Sequence, residues 1–197
     1  MRLFLLLLFP LFVACASPSS VKQPPANYDV LVATLKQTPT LNTVIELRDE
    51  IADRDDLSTA KKTRIKDAIY RAINNSKWND CLDNATQLLV SNYANIEGHY
   101  AAMACYFESG NPSQSHHHEM MINLLLEAIW TTGDGESTTT AFNVLSVDEL
   151  EAFIKFHGME LLSTSPVRQG KQLFYKSVLY DSSRDENVDW YFRLTVY

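Results

Sequence analysis

Residues 131–150 read TTGDGESTTTAFNVLSVDEL, and at this point the character of the chain changes. Upstream, apolar residues recur at helical spacing; downstream, they alternate. The stretch 131–140 is rich in Gly, Asp, Ser and Thr and reads as a loop. Ala141 to Leu145 then reads as a short strand. Ser146-Val147-Asp148-Glu149 is a capping box. Its serine oxygen accepts from the backbone NH three residues on, and the glutamate side chain reaches back. The helix it opens carries Leu150, Phe153 and Ile154, and Gly158 is placed to end it in left-handed geometry.

Downstream, two or three strands are expected. The clearest runs along Val188, Trp190, Phe192, Leu194 and Val196, which alternate with Asp189, Tyr191, Arg193, Thr195 and Tyr197. The first set is the expected core face, which leaves Tyr191 and Tyr197 as the exposed aromatics. The strand pairs with residues 172–180 across the polar turn 181–187.

Upstream, six helices are expected between residues 28 and 130. Tyr28, Leu31, Val32 and Leu35 form the first stripe, and Leu41, Val44, Ile45, Arg48 and Ile51 the second. Ser58 is placed to cap the third, which carries Ile65, Ala68, Ile69, Ala72 and Ile73. The fourth turns Cys81, Leu82, Ala85, Leu88 and Leu89 inward, and the sixth carries Met121, Leu124, Leu125, Ala128 and Ile129. Short connections make neighbours antiparallel. The unit from Trp78 to Gly110 has the character of one tetratricopeptide repeat, without a second copy. The fold class is therefore α+β: an antiparallel helical array with tetratricopeptide-like helix pairs, then a small, mostly antiparallel sheet with one helix. The array spans 27–132, and the GDG loop with the sheet unit spans 133–197.

From His99 onward the chain resembles a bacterial family without assigned function, domain-of-unknown-function family 4919. The matching residues are His99, Ala102 and Gly110, then His118, Glu119, Leu125, Leu126 and Ile129. The centre of the match is Gly133-Asp134-Gly135-x-Ser137, then Thr140-Ala141-Phe142-x-Val144, then Ser146 and Asp148-Glu149. Thr138 and Thr139 stand where the family often has proline and glutamate, and Leu150 where it usually has tyrosine. The resemblance covers about half the chain. It agrees with the α+β reading and implies no activity.

The chain opens MRLFLLLLFPLFVACAS. Arg2 precedes an apolar run too short for a bilayer, which needs roughly 20 residues. Residues 1–14 read as a signal peptide. Val13-Ala14-Cys15 resembles a lipobox, with Phe12 where leucine is usual, so Cys15 is the expected lipidation site; an ordinary cut within 14–17 is the alternative. Residues 15–26 are then the lipidated cysteine and a Pro/Ser-rich tether. Ala16 stands where inner-membrane retention would place aspartate, which points to the outer membrane, facing the periplasm.

Net charge is −7, and removing Arg2 with the leader leaves −8. With no basic stripe, nucleic acid is excluded as a partner. The expected partners are the membrane, through the lipid, and an unidentified protein. No cofactor is expected.

Cys81 and Cys105 either bridge neighbouring helices or pack as small buried hydrophobes. His116, His117 and His118 are consecutive and diverge by about 100° per residue on a helix, so they do not share a metal face. His99 is expected at the Gly133 end of the array beside Asp134, with His118 excluded from that neighbourhood. Gly133, Asp134, Gly135 and Ser137 form either a structural turn, with Gly133 left-handed, Asp134 in an Asx-turn and Gly135 in the next unusual dihedral, or an anion cradle. None of the common nucleophile, zinc-protease or phosphate-loop motifs is present. The expected function is a non-enzymatic interaction or accessory module at the envelope. The alternative is a small-ligand binder or hydrolase using His99, Asp134 and the Ser/Thr loop.

Overall fold

The computed structural model describes residues 27–51 and 57–195. The leader, Cys15, the tether, Val196 and Tyr197 lie outside the described residues. Six helices come first: α1 Tyr28–Gln37, α2 Leu41–Ile51, α3 Thr59–Asn74, α4 Trp78–Ser91, α5 Ile96–Glu108 and α6 Pro112–Trp130. Then follow β1 Phe142–Val144, α7 Val147–Phe156, β2 Met159–Gln169, β3 Gln172–Asp181 and β4 Glu186–Leu194. The fold is α+β.

The stripes read from the sequence face inward. Leu35, Val44, Cys81, Ala85, Met121, Leu125 and Ile129 are fully buried, and so is Leu47, which is not in the expected α2 stripe. Helices α3 to α6 pack on one another in order, and α2 closes against α6. Cys81 on α4 and Cys105 on α5 are joined as a disulfide, with their Cα atoms 6.3 Å apart.

The sheet has strand order β1-β4-β3-β2. β1 runs parallel to β4, with Phe142 opposite Phe192; β4–β3 and β3–β2 are antiparallel. Phe142, Phe153 and Phe192 are fully buried and belong to the same apolar core as the helices. Trp190 is half-buried, its ring 5.9 Å from Trp130 and 5.5 Å from Phe142. Tyr191, expected to be exposed, is half-buried. Its backbone NH donates to the Gly135 carbonyl (2.8 Å), which holds the loop against β4.

Arg48 stands in the apolar stripe of α2 because it has a partner across the core. It forms a buried ion pair with Glu149 of α7, and its second nitrogen donates to the Asn143 carbonyl (3.0 Å). The capping box is present in one direction: Ser146 Oγ accepts from Glu149 N at 3.1 Å. The glutamate reaches back one residue further than expected, accepting from Leu145 N at 2.6 Å, since its other oxygen is held by Arg48. Ser58 occupies the N-cap of α3 without a side-chain cap bond; its carbonyl instead accepts from Lys61 N and Lys62 N.

Of the two glycines of the joint, Gly133 departs from the expected left-handed geometry, whereas Gly135 has the unusual dihedral expected of it. Gly135, not Gly133, is left-handed (φ +74°). Gly133 is needed for close approach: a Cβ there would lie 2.1 Å from the Thr140 carbonyl oxygen. Gly158 ends α7 left-handed as expected (φ +70°).

Candidate functional site

Asn95 caps α5 by accepting from Gly98 N (2.7 Å), which sets His99 in the first turn. Its ring is fully buried. His118 lies in the second turn of α6 and is 8% exposed. The two imidazoles meet, Nδ1 to Nδ1, at 2.8 Å. His99 is therefore beside His118, not Asp134. The reason is unequal length: α5 has 13 residues and α6 has 19, so the start of α5 faces the middle of α6 rather than its end. Asp134 lies beyond Trp130, which is about 18 Å along α6 from His118 at 1.5 Å per residue.

The hydrogen-bond partners fix the protons. His99 Nε2 sits 2.7 Å from the Tyr93 carbonyl, which can only accept, so Nε2 carries the hydrogen. His99 Nδ1 must then accept, and His118 Nδ1 must donate. That leaves His118 Nε2 as a lone pair. It meets no protein partner among the described residues, and His118 lines a cleft of about 680 Å³ between α1, α4, α5 and α6.

Aromatic rings frame this lone pair. Tyr106 stacks on His118 with centroids 5.6 Å apart and planes 13° apart. The Tyr93 hydroxyl lies 3.2 Å from His117 Nε2, and Tyr28 Oη accepts from Tyr93 N (2.9 Å). Lys36 Nζ stands 5.5 Å from the centre of the Tyr93 ring. Burial pushes His99 down to about 3, helped by His118 beside it. Burial likewise pushes His118 down to about 4, with His117 adding a smaller push, and lowers His117. Burial also raises Tyr93 to about 12. At neutral pH His99, His118 and Tyr93 are uncharged. His116 is exposed and pairs with Glu119 at 3.1 Å, outside this group.

The GDG loop is a separate place. Asp134 Oδ1 accepts from Glu136 N at 2.9 Å, an Asx-turn, and Ser137 Oγ lies 2.8 Å from Thr139 Oγ1 and 3.0 Å from Thr140 Oγ1. The Thr140 and Glu136 donors hold the Asp134 carboxyl below its ordinary value. These bonds satisfy the loop from within.

A second groove, about 400 Å³, runs between α3, α5 and α7 and carries Tyr70, Tyr100 and Phe156. The sequence reading also missed His157. Its Nδ1 donates to the Phe153 carbonyl (2.6 Å), so its Nε2 accepts from Trp130 Nε1 (2.6 Å) and fastens the end of α6 to α7. Among the described residues no group of three or more His, Cys, Asp or Glu side chains is placed to hold a metal ion.

A family model described as "Domain of unknown function (DUF4919)" matches residues 53–188. The chain belongs to this family. The match takes in α3 and α4 as well as the chain from His99 to Val188, so both helices that carry the histidine pair lie inside it. No curated protein and no solved structure matches the chain.

Proposed function

We propose that this family member is a non-enzymatic binding module held at the bacterial cell envelope, and that its site is the cleft above His117 and His118. The single observation behind this is the buried His99–His118 pair at the cleft wall. Burying two imidazoles costs free energy that an apolar pair would not, and His118, which lines the cleft, keeps one lone pair without a protein partner among the described residues. Clefts of several hundred Å³ that combine apolar walls with a few convergent polar groups are the usual form of a small-molecule site. A histidine titrating near pH 4 is a weak base at neutral pH, so the geometry suits recognition better than proton transfer.

The anchor belongs to the same proposal: lipid on Cys15, a tether over residues 15–26, and the outer membrane facing the periplasm. No described helix is long and apolar enough to cross a membrane. A second reading is a protein partner laid in the α3–α5–α7 groove, where Tyr70 and Tyr100 are 58% and 47% exposed.

The test is native mass spectrometry of the chain released from its own membranes, beside Val90→Trp. Val90 lines the cleft and is 72% exposed, so a bulky residue there fills the mouth without touching the core. A retained mass present in wild type and lost in Val90→Trp supports the cleft. A retained mass unaffected by the variant places the site elsewhere. Fractionation of Cys15→Ser tests the anchor: equal membrane retention with wild type would discard it.

A further inference from the structure

We infer that the cleft recognises a neutral saccharide, one hydroxyl of which donates to His118 Nε2; this rests on the cleft being the binding site. The argument begins from the lone pair. His118 is more than nine-tenths buried, and its ring is fixed by the bond to His99 on one side and by Tyr106 stacked on its face. The tautomer cannot reverse, because the Tyr93 carbonyl at the far end of the chain of bonds accepts and never donates. Whatever fills the cleft must therefore offer a donor to Nε2. An anionic oxygen would face a lone pair and gain nothing. A hydrocarbon would leave the acceptor unpaired.

The rest of the lining narrows the donor's carrier. Half-buried Tyr106 lines the cleft with its ring stacked on His118, and Ser113 and Gln114 add neutral groups that both donate and accept. The formal charges in the lining, Asp29 and Lys36, are one of each sign and leave it without net charge, with Lys36 Nζ 5.5 Å from the centre of the Tyr93 ring. A sugar ring matches this arrangement. Its C–H face lies on an aromatic ring while hydroxyls around its edge meet neutral hydrogen-bonding groups, and it brings no charge to a lining without net charge. The volume, about 680 Å³, is that of a site for a short oligosaccharide rather than a single ion.

Saturation-transfer NMR on the full-length chain in detergent, with a panel of short neutral oligosaccharides of glucose, N-acetylglucosamine, mannose, galactose or xylose, tests the assignment. Zinc chloride and inorganic phosphate are the comparison probes. At least one oligosaccharide should bind. His118→Ala should weaken it about tenfold or more, the loss expected when a buried partner is removed. His116→Ala, on the exposed side of α6, should bind as wild type. Long-range proton–nitrogen correlation should show the His118 Nε2 resonance moving on binding while Nδ1 keeps its hydrogen. Should His118→Ala fail to fold, Val90→Trp carries the test and should abolish binding. Binding by none of the panel, or a His118 shift produced only by zinc or phosphate, overturns the saccharide. A retained non-saccharide mass that Val90→Trp removes overturns the ligand class and leaves the cleft standing. A retained mass that ignores Val90→Trp removes the cleft itself.

Discussion

Glu149→Ala is the substitution that tests how the helical array and the sheet unit are joined. Arg48 and Glu149 are each 7% exposed, and they connect α2 to α7 across 101 residues of chain. Removing the carboxylate leaves the guanidinium buried with only the Asn143 carbonyl among the described residues, and it takes the acceptor from Leu145 N as well. Breaking one side of a buried pair costs ~3–5 kcal/mol, because a desolvated charge is left behind. For a chain of this size each kcal/mol moves the melting temperature by ~2–4 °C, so the loss should be on the order of 10 °C. Glu149→Gln separates the two effects. It keeps an acceptor for Leu145 N and removes only the charge, so it should fall between wild type and Glu149→Ala. Arg48→Met with Glu149→Gln should recover much of the loss, since no unpaired charge remains. Urea unfolding of the set, with calorimetry, reads these differences. If Glu149→Ala and Glu149→Gln both stay within about 1 kcal/mol of wild type, the pair does not join the two parts and the reasoning fails.

Acid should destabilise the chain before its carboxylates titrate. The unfolded chain takes up protons at positions 99 and 118 near pH 6.5, whereas the folded chain holds both rings neutral down to about 4 at His118 and about 3 at His99. Stability is thus full above about pH 6.5 and falls as pH drops toward 4, by up to ~1.4 kcal/mol per pH unit for each histidine; a His99→Gln/His118→Gln chain with the same slope between pH 6.5 and 5 would contradict this. Gly133→Ala should cost several kcal/mol from the clash with the Thr140 carbonyl, whereas Asp134→Asn, which keeps the Asx-turn acceptor, should melt within about 1 kcal/mol of wild type. Equal melting of Gly133→Ala and wild type would show that the joint relaxes. Reducing the Cys81–Cys105 bond, which closes a loop of 24 residues' separation, should lower stability by ~3 kcal/mol in the chain-entropy account, read as the shift in urea midpoint with and without reductant.

The element pattern was legible in the sequence because period is a local property. Leu41, Val44, Ile45, Arg48 and Ile51 can share one face only on a helix, and Val188, Trp190, Phe192 and Leu194 only on a strand. Ser146 and Gly158 bracket α7 through bonds and dihedrals within a few residues, and these held. The β3–β4 pairing followed from one polar turn. Errors arose where a residue's role depends on something distant in the chain. Arg48 falls in an otherwise apolar stripe, and nothing near it in the chain indicates Glu149. Gly133 and Gly135 are chemically identical in a loop; only the tertiary structure brings the Thr140 carbonyl against one and the Phe142 ring against the other, and makes Gly135 alone of the two left-handed.

The candidate site shows the same division. His99, His117 and His118 were all visible in the sequence. That His99 meets His118 was not, because contact between antiparallel helices depends on how far each extends past the turn, and α6 outruns α5 by two turns at its far end. Local periodicity therefore determined which residues are helical, which are extended and which face inward. The tertiary packing alone decided which buried polar group faces which, because a proton donor and its acceptor, or a cation and its anion, are matched by distance in space and not by separation along the chain.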